Sequence, residues 1–116
     1  MMTAPKVINV LGTDIQIEFR KEEDDPKLNE LCGYFDSSVN LIVVKIHEED
    51  KFSIRDLEAH QRKTLRHEII HAFLYESGLD WSSVQSEAWA TNEEMVDWFA
   101  IQSPKIFKVF QELGVL

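Results

Sequence analysis

The stretch Thr64-Leu65-Arg66-His67-Glu68-Ile69-Ile70-His71-Ala72-Phe73-Leu74-Tyr75-Glu76-Ser77-Gly78 decides how the chain is read. Leu65, Ile69, Ile70, Phe73 and Leu74 recur at helical spacing, and Leu57 extends the same apolar face toward the N-terminus. Ser53-Ile54-Arg55-Asp56 offers an N-terminal cap, and Gly78 suits the left-handed residue that closes a helix. On such a helix His67 and His71 lie on one face, ~6 Å apart along the axis, so both imidazoles can reach one ion at ~2.0–2.1 Å. Glu68, one residue round, cannot join that face as a ligand. It can reach a water held by the ion, which is the position of a general base. The two histidines occupy a different stripe from Ile69, Ile70 and Phe73, so a core role does not explain them.

Two histidines remain. His60 precedes His67 by seven residues, ~10 Å along the axis, and cannot share its ion; it reads as a rim or surface residue, and His47 as a loop residue. No histidine follows His71, so a third protein ligand must be a carboxylate. A second helix is expected from a Thr91-Asn92-Glu93-Glu94 capping box to Gln102, ending before Pro104, with Ile106–Leu113 forming a separate short helix. Glu93 and Asp97 are again four apart. Glu93 can complete a two-His, one-Glu set, while Asp97 accepts a hydrogen bond from the non-metal nitrogen of a ligand histidine. Glu87 and Glu94 compete as ligands, but neither has a carboxylate four residues later.

Ahead of the helices the period is that of strands. Val7–Leu11, a turn at Gly12-Thr13-Asp14, and Ile15–Arg20 read as a hairpin, with Ile15, Ile17 and Phe19 alternating with polar residues. Pro26 can open a short helical turn, Gly33–Ser38 a short strand, and the apolar run Val39–Ile46 is the strongest strand signal. Strands first and helices after give an α+β fold: a small mixed or antiparallel sheet packed on the histidine helix and the glutamate helix. The 116 residues fit one domain, 1–116.

Composition narrows the function. A net charge of −9 opposes general nucleic-acid binding, which draws on counterion release by basic residues. No apolar run reaches the ~18 residues of a membrane span. The single cysteine, Cys32, excludes an intramolecular disulfide and a cysteine-based zinc ribbon, and fits a reducing, cytoplasmic setting.

His67-Glu68-Ile69-Ile70-His71 followed by Asn92-Glu93-x-x-x-Asp97 resembles the gluzincin zinc peptidases. The small size and Glu93-x-x-Val96-Asp97-x-Phe99-Ala100 are similar to the ImmA/IrrE group of metallopeptidases, often encoded by phages and mobile elements. That resemblance, over residues 33–104, implies zinc as cofactor, ligands His67, His71 and Glu93, base Glu68, and Asp97 orienting a ligand. It also implies a peptide or protein substrate, such as a repressor, pairing with an edge strand placed within Leu41–Ile46. Members commonly carry Ala-Asn at the positions of Val96-Asp97. SprT-like peptidases, which share the first motif, expect a later histidine that this chain lacks. Tyr34 and Tyr75 are the phenols available as oxyanion donors. Two rivals stand beside the peptidase: an inactive protein-binding module with a vestigial or structural metal, anchored by Trp81, Trp89 and Trp98, and a plain structural protein without metal.

Overall fold

The first two strands, β1 (Lys6–Val10) and β2 (Thr13–Arg20), are joined by a two-residue turn at Leu11 and Gly12. Both have positive φ, +50° and +96°, as a tight hairpin turn of this twist requires. Leu11 therefore belongs to the turn and not to the strand. Asn9 supports it by accepting from the Gly12 N–H and donating to Asp14. The computed structural model describes residues 2–48, 56–82 and 89–116. The expected cap at Ser53, the competing ligand Glu87 and the side chain of Trp81 lie outside the described residues.

Strands β3 (Gly33–Asp36) and β4 (Leu41–Lys45) pair antiparallel, and β4 then pairs in parallel with β2, giving the order β1-β2-β4-β3. The fold is thus α+β with a four-stranded mixed sheet. The apolar run expected to supply an exposed edge lies inside the sheet instead. Ile42, Val43 and Val44 of β4 are fully buried, and both sides of the strand are hydrogen-bonded to neighbours. An uninterrupted β-branched run needs cover on both faces, which an interior strand provides. The edge is β3.

On one face Ile15, Ile17, Phe19, Ile42 and Val44 form the core with Ala72, Leu65 and Ile69 of α1 (Leu57–Glu76). On the other, Tyr34 donates its hydroxyl to Asp25, which also accepts from Arg20 at 3.0 Å and from the Lys27 N–H at 3.2 Å. The Tyr34 bond, with help from Arg20 and against the effect of burial, holds the Asp25 carboxyl below its ordinary pKa. Burial and the Asp25 charge push the Tyr34 phenol up to about 12.

Helix α1 is capped by Asp56, whose side chain accepts from the Ala59 N–H at 2.9 Å. It ends at Gly78, φ +84°, whose N–H bonds the Tyr75 carbonyl. The helix packs Leu65 and Ile69 of the expected apolar face against the sheet core, but another stripe is buried more deeply. Its most buried residues are Gln61, Thr64, Glu68 and Ala72, while Phe73 is exposed and Ile70 and Leu74 are half-buried. The reason is close approach to β3: a Cβ at Gly33 would lie 2.8 Å from the Val43 carbonyl oxygen and 2.9 Å from Thr64 Cγ2. Small or slim residues must fill that seam, so the larger apolar side chains are turned toward the flank. Buried Gln61 is satisfied by the Met2 backbone, accepting from its N–H and donating to its carbonyl.

A single turn, α2 (Leu79–Ser82), follows, and then α3 (Glu93–Leu113). Asn92 caps α3 by accepting from the Met95 N–H at 2.8 Å, in place of the expected Thr91 box. The helix does not stop at Pro104. A proline removes the N–H that would bond the carbonyl four residues earlier, here Ala100. Arg66 of α1 donates its Nε to that carbonyl at 2.6 Å and replaces the missing bond. Arg66→Met is therefore expected to destabilise the protein by ~1–3 kcal/mol in urea denaturation, because Ala100 loses its partner. Pro104→Ala restores a backbone donor, so the same substitution should cost clearly less in that background; equal costs in the two would refute the account. Among the described residues, no helix is long and apolar enough to cross a membrane.

Candidate metal centre

The clasp between Arg66 and Ala100 fixes the first turns of α3 against the middle of α1, where the chain's acidic and imidazole groups meet. Glu93, at the first position of α3, spans both histidines: its Oε2 lies 2.9 Å from His67 Nε2 and its Oε1 2.9 Å from His71 Nε2. The two Nε2 atoms are 3.2 Å apart. Asp97, one turn on, sits 3.2 Å from His67 Nδ1 and accepts from Lys63 Nζ at 3.0 Å.

Proton counting shows what this arrangement is suited to hold. With Glu93 as a carboxylate, its two contacts each require an N–H on a facing Nε2. The contact between the two nitrogens requires that only one carry a proton. No assignment satisfies all three as hydrogen bonds, whereas a cation in their midst satisfies every lone pair at once. Donors bound to a tetrahedral zinc lie ~3.3–3.5 Å from one another, so a small outward relaxation of these atoms makes room for the ion. Two imidazoles and one carboxylate are also the donor types zinc takes when a fourth position is left open.

The surrounding groups are tuned by position. Burial pushes the Asp97 carboxyl up, but the hydrogen bonds from Lys63 and His67 outweigh it and leave it below its ordinary value. As a carboxylate it accepts from Nδ1–H and so directs the bare Nε2 of His67 toward Glu93. Burial lowers the His71 pKa, with Glu93 opposing, which favours the neutral, ligating ring. Glu68 is only 7% exposed, and its carboxylate lies within 4.8 Å of a ring nitrogen of each histidine. Burial pushes it up to about 7, with His67 opposing and Glu93 adding.

Comparison with protein-family models, with characterised proteins and with solved structures gives no match.

A cleft of about 510 Å³ opens beside these residues, walled by β3 on one side and by His71, Tyr75, Asp80 and Glu93 on the other. Of the two phenols, Tyr34 is committed to Asp25 and Arg20 on the far face of the sheet. Tyr75 stands in the cleft wall, its ring edge-on to Phe35 at 5.9 Å. Glu94 is exposed one position beyond Glu93 and is in neither contact set. Two participants went unread in the sequence. Lys63, four residues before His67, was legible from spacing alone. Asp80, whose carboxyl burial raises against the pull of His71, reaches the site only through the turn at Gly78, and no local pattern announces it.

Proposed function

We propose that the chain is a zinc-dependent peptidase of the gluzincin kind, similar to the ImmA/IrrE group, acting on an extended segment of a protein such as a repressor. The observation that carries this is the meeting of His67 Nε2, His71 Nε2 and Glu93 within 3.2 Å of one another, beside a carboxylate that is not one of the set. His67, His71 and Glu93 would hold the metal, and Asp97 would orient His67. Bound zinc would supply Lewis acidity toward a carbonyl and bring the pKa of water to about 7.

The rest belongs to the chain's own residues. Glu68 takes a proton from the attacking water on its carboxylate and later delivers it to the leaving amine. Glu68 lines the cleft and is only 7% exposed, which limits its contact with bulk water. The exposed edge of β3 runs along the cleft wall and offers backbone donors and acceptors to a substrate strand, so recognition would rest largely on main-chain hydrogen bonds. Tyr75, in the cleft wall, would be the phenol facing a bound peptide.

The test is zinc content by elemental analysis of protein purified without chelator, paired with cleavage of a panel of unstructured peptides. Zinc content that falls by one equivalent per chain in His67→Ala with His71→Ala, and cleavage that stops with chelator and returns with zinc, are expected. Zinc without cleavage of any substrate would favour the binding module, for which Trp89 and Trp98, 46% and 53% exposed, are available anchors.

A further inference from the structure

The chain has four histidines and one cysteine, and every one of them stands in one of two clusters. His67 and His71 form the first. Cys32, His47 and His60 form the second, with one ligand atom from each lying within 4.8 Å of the others. We propose that Cys32, His47 and His60 form a second zinc site that ties the start of β3, the end of β4 and the first half of α1 together. The proposal stands apart from the peptidase reading and does not rest on it.

Three observations converge on it. First, the ligands come from three separate elements that the fold itself brings together. Cys32 is held at the head of β3 by the Lys45 N–H, which donates to its carbonyl at 2.9 Å. His47 follows two residues after Lys45, and His60 projects from α1, where its N–H bonds the Asp56 carbonyl. Second, the imidazoles of His47 and His60 face one another edge to face, with centroids 5.0 Å apart. Both are half-buried, and a neutral imidazole offers a free lone pair to a metal. Third, the donor set is selective. One thiolate and two imidazoles suit zinc and exclude the hard cations magnesium and calcium, which need oxygen.

Donors around a tetrahedral zinc with one sulfur lie ~3.3–3.6 Å apart, so closing the cluster needs only modest side-chain rotation, most readily by exposed Cys32. Three protein donors leave a fourth position that water can fill. His60 precedes His67 by two turns of α1, ~10 Å, so the two ions would not share a ligand.

Cobalt(II) titration of the full chain, in a thiol-free reductant, tests this directly, because a near-ultraviolet thiolate-to-cobalt band can arise only from Cys32. Wild type should develop that band, and in protein lacking the His67 and His71 imidazoles it should saturate at one equivalent of cobalt per chain. His67→Ala with His71→Ala should keep it, which separates this site from the first. Cys32→Ser should abolish it, and His47→Ala or His60→Ala should weaken binding by more than about tenfold, since even outer partners of a metal site are worth 10–100-fold. Absence of the band in wild type overturns the proposal even if a variant misfolds. So does a band unmoved by both histidine substitutions, or one saturating at half an equivalent, which would mean thiols of two chains sharing an ion.

Discussion

Glu68→Gln should lower peptide hydrolysis by about 10²–10⁴-fold while zinc content stays at the wild-type level. Glutamine keeps the shape of the side chain and removes only its ability to accept and return a proton. Glu68 bridges neither histidine to Glu93, so the ligand set is untouched. The substitution should not unfold the protein either. A carboxylate that is 7% exposed, packed where a Cβ at Gly33 would come within 3.6 Å of its Cγ, costs free energy to ionise there, and a neutral amide avoids that cost. The melting temperature of the metal-free variant should equal or exceed that of wild type. Turnover within about threefold of wild type would remove Glu68 from the base role, and loss of zinc would make it a ligand instead.

The part of this site that can be read from the sequence is the part governed by helical spacing. His67 with His71, and Glu93 with Asp97, are each four residues apart on one helix, and that alone puts each pair on one face. What brings the two pairs together is not local. It depends on Arg66 bridging to the Ala100 carbonyl, a contact between helices that lets α3 run through Pro104, where the local rule ends a helix. The deepest stripe of α1 escapes local reading for a related reason. Apolar spacing marks Ile70 and Phe73 as core, but the narrow seam against Gly33 admits Thr64, Glu68 and Ala72 instead. The sheet order has the same origin: an apolar run identifies β4 as a strand, and only its pairing on both sides shows that it is interior and β3 an edge. Cys32, His47 and His60 are dispersed in sequence and meet only because β4 returns beside β2 with α1 laid across them.

Glu93→Ala should reduce zinc affinity by well over 100-fold, measured by competition with a chromophoric chelator, while Glu94→Ala changes it little. The contrast follows from position. Glu93 touches both imidazoles, each at 2.9 Å, whereas Glu94 is turned about 100° round the helix and is exposed. Asp97→Asn should fall between the two, at about 10–100-fold, because an amide can present its N–H₂ to His67 and no longer fixes Nδ1 as the protonated nitrogen. In metal-free protein Glu93→Ala should leave the helical circular dichroism intact, since Asn92 still caps α3 and Arg66 still holds Ala100. A fall in affinity then reports the lost ligand and not a lost helix. Wild-type affinity in Glu93→Ala, measured with Cys32→Ser present so that the second cluster contributes no zinc signal, would leave His67 and His71 with no third partner from α3 and end the gluzincin reading.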